Sequence, residues 1–215
     1  MKENGLKMSP MATAGSSVIA AIIMRAFGRT TKKKVTGQSM SNLFFFFAVI
    51  IMCRSNGTTY VGRWVNDQRN GKGILEVPNK VRYEGFFQDG LFIHGVGVEM
   101  LANGKKYDGK FQEAHYHGEG SLSWPDGTIY EGMFEQGRAF GRGTMKKSSG
   151  VTYTGEFQHG WFEGIGVLTF TDGSRHEGGF SKGLRHGKGT YYATNGRTFK
   201  QVWKNGEKDE SCTVF

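Results

Sequence analysis

From residue 60 onward, apolar and polar positions alternate with a period of two in short stretches that glycines interrupt. In the clearest block Tyr153, Gly155 and Phe157 fall on one side, and after the pair Gly164/Gly166 the residues Gly166, Leu168 and Phe170 alternate with Val167 and Thr169. An earlier block repeats the second half, with Gly120, Leu122 and Trp124 alternating with Ser121 and Ser123. Alternation of this kind predicts half-buried strands, two to a block, with the glycine pair lying between them.

The blocks are copies of one another. Aligned on Tyr-x-Gly-x-aromatic, they read Tyr60-Gly62-Trp64, Tyr83-Gly85-Phe87, Tyr107-Gly109-Phe111, Tyr130-Gly132-Phe134, Tyr153-Gly155-Phe157 and His176-Gly178-Phe180, then a degraded Phe199, Gln201, Trp203. Their starts are 23 or 24 residues apart, which marks an array whose units each pack on their neighbours. Asn103-Gly104, Asp126-Gly127, Ser149-Gly150, Asp172-Gly173 and Asn195-Gly196 precede the next block and carry the chemistry of tight hairpin turns, while Pro78-Asn79 predicts a different one. The expected fold is all-β, an elongated antiparallel meander of about six to seven hairpin repeats over residues 60–206. A non-repeat segment, 1–59, precedes it and a tail, 207–215, follows. The third-position glycine leaves room for rings to lie across the backbone, so that tyrosines and phenylalanines form a continuous apolar stripe.

Departures from the pattern predict local consequences. The second block has one extra residue before Gly95, which should bulge its turn or shift its register. Asp67 and Ala114 stand where the other blocks have the glycine after the aromatic, and His176 replaces the tyrosine. Gln201 replaces the third-position glycine in the last block, as expected of a capping unit.

The combined motif, Tyr-x-Gly-x-Phe/Trp followed by Gly-x-Gly and Asp-Gly, resembles the MORN (membrane occupation and recognition nexus) repeat. The resemblance implies a rod-like antiparallel sheet that acts as a scaffold, as in membrane tethers, ciliary and radial-spoke proteins, protist cytoskeletal proteins and regulatory regions beside catalytic domains.

Composition sharpens this. The 34 glycines against 3 prolines recur with the repeat, so they signal turns and close backbone approach rather than disorder. The net charge of +9 is unevenly placed: residues 1–59 hold eight basic residues against Glu3 alone, and the remainder holds twenty against eighteen acidic. The repeats are nearly neutral, and nucleic acid is not an expected partner. Two cysteines, Cys53 and Cys212, show no metal-ligand spacing, which fits a reducing compartment.

Residues 43–53 form an uncharged apolar run that includes Phe44, Phe45, Phe46 and Phe47, and Lys32, Lys33 and Lys34 lie upstream. These seven residues are candidate membrane contacts, with the cations facing anionic headgroups. A helical span needs about 20 apolar residues, so a single pass would have to recruit Met40, Ser41 and Asn42 as well as the run. A transit peptide and an apolar cap over the end of the array are the competing readings. Asn56-Gly57-Thr58 matches the N-glycosylation pattern, which carries meaning only in the secretory pathway. At the other end Cys212-Thr213-Val214-Phe215 fits a prenylation motif loosely, making Cys212 a candidate lipidation site. It also reads as a ligand of PDZ domains or as a frayed end.

No residues converge as catalytic groups do. His94, His117 and His186 precede the first glycine of a pair and read as turn residues, and Glu84, Asp108, Glu131 and Glu177 share the solvated second position as a column rather than a cleft. No cofactor, metal or catalytic residue is expected. The chain reads as a non-catalytic scaffold with protein partners, cytoplasmic and attached to a membrane or a cytoskeletal structure, ciliary ones included. An adaptor for acidic phospholipid and a regulatory subunit of a separately encoded enzyme are the alternatives.

Overall fold

The computed structural model describes residues 19–26, 29–36, 49–54 and 56–209. The chain divides into two compact units, residues 1–99 and 100–215. Strand is the only regular structure among the described residues.

In the first unit β1 (Ile19–Ala26) pairs with β2 (Arg29–Thr36) and β3 (Val49–Cys53). From β3 the chain runs as an antiparallel meander through β4 (Thr59–Val65), β5 (Gln68–Val77), β6 (Val81–Gln88) and β7 (Leu91–Met100). The second unit continues the same style with β8 (Lys106–Gln112), β9 (His115–Ser123), β10 (Ile129–Glu135), β11 (Arg138–Lys146) and β12 (Thr152–Gln158). It ends with β13 (Trp161–Thr169), β14 (Arg175–Ser181), β15 (Leu184–Tyr192), β16 (Thr198–Lys204) and the short β17 (Glu207–Lys208), each antiparallel to the next.

Two kinds of turn alternate, and their order differs from the sequence expectation. The tight two-residue turn lies inside each repeat, where both central residues take positive φ: 52° at His159 and 88° at Gly160, for example. This is the backbone that matches strand twist in a two-residue hairpin. At the Asn-Gly and Asp-Gly joints only the glycine is left-handed. There the loop is longer: Gly104 N–H donates to Leu101 O (2.9 Å), Leu101 N–H to Lys105 O (2.8 Å), and the Asn103 Oδ1 accepts from Lys105 N–H (3.2 Å). Asp126 and Asp172 make the same side-chain bond, to Thr128 and Ser174. The Pro78-Asn79 joint is different, as expected, with Asn79 at φ 57° and Lys80 N–H donating to Val77 O.

The glycine pair does not separate the strands; it lies within the second one, inside β5 or β13, for instance. Its first member is left-handed, as Gly164 is at φ 61°, and sits where the register shifts between Gly155 and Glu156. The extra residue of a bulge takes this conformation readily only as glycine. The second member faces the third-position glycine of the same repeat: Gly62↔Gly73, Gly109↔Gly120, Gly155↔Gly166. A Cβ on Gly73 or Gly166 would collide with the Tyr60 or Tyr153 ring, so the tyrosine of the same repeat lies flat over the glycine pair.

That arrangement builds a core from one layer of sheet. Tyr107 and Tyr130 are almost fully buried, and each is bracketed edge-on by its own repeat's phenylalanine and the next one's. Tyr153 sits likewise between Phe157 and Phe180, and Tyr60 between Trp64 and Phe87. The phenol O–H donates to the carbonyl three residues on, at 2.7 Å for Tyr107 to Lys110 and 2.8 Å for Tyr130 to Met133. Edge-to-face pairs contribute about 0.5–1.5 kcal/mol each beyond their burial, and the chain of them links successive repeats.

The second repeat departs as its length predicts. Gly85 pairs with Gly95, the first of its pair, and Tyr83 faces Gly97 where the other tyrosines face a large side chain such as Leu75 or Leu122. The shift falls between Phe86 and Phe87, and Tyr83 is only half-buried.

The sheet does not begin at residue 60. Met52 faces Tyr60 as Leu75 faces Tyr83, so β3 serves as the second strand of an incomplete repeat. The Asn56-Gly57 pair, read above as a glycosylation pattern, is its joint: Gly57 N–H donates to Arg54 O, and Asn56 Oδ1 accepts from Thr58 N–H. Val49–Cys53, the end of the apolar run, is strand, and no helix among the described residues is long and apolar enough to cross a membrane. Phe44, Phe45, Phe46, Phe47 and Cys212 lie outside the described residues, and Lys32, Lys33 and Lys34 are placed by backbone alone, in β2 opposite Ile23, Ile22 and Ala21.

Candidate functional site

The residues that the repeat motif singles out are structural. Tyr60, Phe87, Tyr107, Phe111, Tyr130, Phe134, Tyr153, Phe157 and Phe180 are all in the core, and Gly62, Gly85, Gly109, Gly132, Gly155 and Gly178 lie close against the facing strand. Burial pushes the Tyr60 and Tyr130 phenols up to about 12, with Arg69 slightly offsetting this at Tyr60, and raises those of Tyr107 and Tyr153 as well. Such phenols stay protonated and hold their carbonyls. They offer nothing to a substrate.

A second aromatic position escaped the motif. Two residues before the first glycine of the pair, Tyr116 stacks on Tyr107 and Phe162 on Tyr153, both at 3.8 Å between centroids. The same position holds Arg69 in the first repeat, Ala139 in the fourth and Arg185 in the sixth. Arg69 lies 6.0 Å over the Tyr60 ring, and Arg185 lies 3.4 Å over Trp203. Its carbonyl is used too: Gly160 N–H donates to Ala139 O, and Gly183 N–H to Phe162 O, so these tight turns are clamped to the repeat before them. The sequence carries a large residue at this position in every repeat but the fourth, which has Ala139, and its identity changes too much for a motif to register.

His176 fills the tyrosine site of the sixth repeat. It is fully buried between Phe180 and Trp203, neither ring nitrogen has a hydrogen-bond partner, and burial, with Arg185 adding to it, lowers its pKa to about 4. A neutral imidazole sealed in this way is a packing element. His94, His117 and His186 are in strands rather than turns, since the tight turn ends earlier. His94 stacks on Phe86 at 5.3 Å. Among the described residues no group of three His, Cys, Asp or Glu side chains could hold a metal ion.

The opposite face carries the charged positions, with Ile129 and Met133 exposed among them. Asp108 and Glu131 flank Ser121, so a neutral residue separates these two carboxylates and they do not form an acid pair. Arg175 binds Glu177 at 2.7 Å and lies 4.0 Å over Tyr192, and its hydrogen bond holds the Glu177 carboxyl below the usual range. Glu163 reaches across to the next turn, accepting from the Ser181 hydroxyl (3.1 Å) and Lys182 N–H (2.9 Å).

The tight-turn edge of the second unit presents large apolar side chains. Trp161 and Leu184 follow successive turns at the same repeat position and are 60% and 49% exposed. Trp161 lies against Gly183, where a Cβ would come within 3.1 Å of its ring, and Leu184 lies against Gly206. Large apolar side chains held side by side in water are the surface that associations use.

The MORN repeat family model matches residues 60–80, 83–106, 107–129, 130–152, 153–175 and 176–197. No curated protein matches the chain. With six consecutive matches over most of its length, and each motif residue explained by the glycine-backed tyrosine and its bracketing rings, the chain belongs to the MORN repeat family.

Proposed function

We propose that the protein is a non-catalytic scaffold that holds protein partners at fixed spacing on a membrane or cytoskeletal structure in the cytoplasm. MORN repeats occur in scaffold-like proteins that meet membranes and other proteins, and the family is not a catalytic one. The carrying observation is the division of labour among aromatic residues. Most of the motif rings are consumed by the core, while Trp161 and Leu184 stay largely exposed at the turn edge, each lying against the glycine of the next tight turn. A surface like this suits a protein partner with an apolar anchor, because a flexible polar ligand gains little from it.

The test compares proteins recovered with the full chain and with the Trp161→Ser/Leu184→Ser variant, both at matched expression. Recovery of a defined partner by the first and its loss from the second, at unchanged melting temperature, is the expected result. Identical recoveries would remove the turn edge from the account.

A further inference from the structure

Internal repetition supplies its own template for what is missing from a site, and the first repeat has an unfilled one. A cavity of about 350 Å³ opens there, within the size range of small-ligand sites. Its apolar lining is Tyr60, Trp64, Leu75 and Val77, with Met52 of β3. In the fifth repeat the aligned positions carry two rings: Phe162, stacked on Tyr153, and Phe170, whose ring contact is with Tyr191. The first repeat has Arg69 and Val77 at those positions, so two rings' worth of volume is absent and a guanidinium takes part of the place.

The charges around the cavity are selective. Arg54, from the joint turn before β4, and Arg69 both line it, and no ion pair joins either to a carboxylate among the described residues. Arg69 is committed in part, donating to Gly90 O at 2.7 Å. Burial, and then Arg54, hold its guanidinium below its usual range, although Tyr60 opposes this. Asp67 and Asp89, on the two adjoining tight turns, line the same cavity and leave its formal charge at zero. Two arginines with no ion pair among the described residues welcome one negative charge, while two carboxylates nearby disfavour a dianion.

We infer that this cavity is a binding site for a small monocarboxylate with a planar apolar body, whose ring replaces the missing aromatic side chains and whose carboxylate is received by Arg54 and Arg69. The site is independent of the turn edge and of the scaffold reading. It gives the first unit a ligand of its own.

The probes are 3-phenylpropanoate, its neutral amide and phenyl phosphate, titrated into the full chain. The readout is the Trp64 indole N–H resonance, identified by its loss in Trp64→Phe. A saturable shift with the carboxylate, with binding about tenfold weaker or more for the amide, is expected from the loss of a charged hydrogen bond. Phenyl phosphate should bind more weakly than the carboxylate. Arg69→Phe installs the ring that the third and fifth repeats carry, so it should fold at least as stably and bind nothing. Arg54→Gln should keep the fold and weaken the carboxylate about tenfold. No saturable shift up to several millimolar, equal affinity for acid and amide, or unchanged binding by Arg69→Phe would each overturn the assignment.

Discussion

His176 shows how one residue alters an otherwise uniform core. It occupies a site shaped for tyrosine, without a partner for either nitrogen, and its pKa falls to about 4 from 6.5. Above pH 6.5 neither the folded nor the unfolded chain carries the charge. Below it, the unfolded chain takes up a proton that the folded one refuses until about pH 4, so the stability of this repeat is full above 6.5 and lost as pH falls through that window. The loss reaches up to about 3 kcal/mol. His176→Tyr should abolish it, which thermal melts between pH 7 and 4 would reveal; an unchanged acid profile would contradict the packing role. The glycine facing each tyrosine makes the converse point. Gly166→Ala places a methyl into the Tyr153 ring and should cost about 1–3 kcal/mol by chemical denaturation, whereas the same change at an exposed strand position would cost little.

At the scale of the element, the tight turn decides where each hairpin folds back. Both central residues are left-handed, and glycine usually takes the second place. Ala114 stands there at φ 60°, a conformation that costs an alanine roughly 1 kcal/mol. Ala114→Gly should therefore raise stability by about 0.5–1 kcal/mol, seen as a higher denaturation midpoint at constant slope. A fall instead would mean that the turn is not left-handed. The joints were legible in advance because Asn and Asp side chains carry their own signal, as Asp126 does in binding Thr128. The tight turns were harder to place, since Asn66-Asp67, Glu113-Ala114 and Gln136-Gly137 have little in common as letters. What unites them is the twist of the flanking strands, a property of the paired backbone.

Across the molecule, the same buried tyrosine recurs, so its titration multiplies. Phenols that ionise near 10 when unfolded are held up to about 12 or beyond in Tyr60, Tyr107, Tyr130 and Tyr153 by burial. Their contribution is complete below pH 10 and is lost as pH rises through the folded values, which predicts steep, cooperative alkaline unfolding beginning above about pH 10. Far-ultraviolet dichroism and the phenolate absorbance at matched pH should move together; phenolate formation without loss of strand would show the rings to be accessible. Nearest-neighbour packing carries a further expectation: deleting residues 130–152, one whole repeat, should leave a folded protein of lower stability, while deleting a part of that span should not. The repeat period, the two strands per repeat, the positions of the joints though not their turn type, the shifted second repeat and the core tyrosines were determined by the sequence, because each is enforced locally by alternation, by glycine and by turn chemistry. The tertiary structure alone decided what stacks over each tyrosine, that β3 and Asn56-Gly57 extend the sheet back before residue 60, and that Arg54, Arg69, Asp67 and Asp89 meet around one cavity. Those features depend on which side chains neighbouring strands bring opposite one another, and a bulge or a single inserted residue resets that register without leaving a motif.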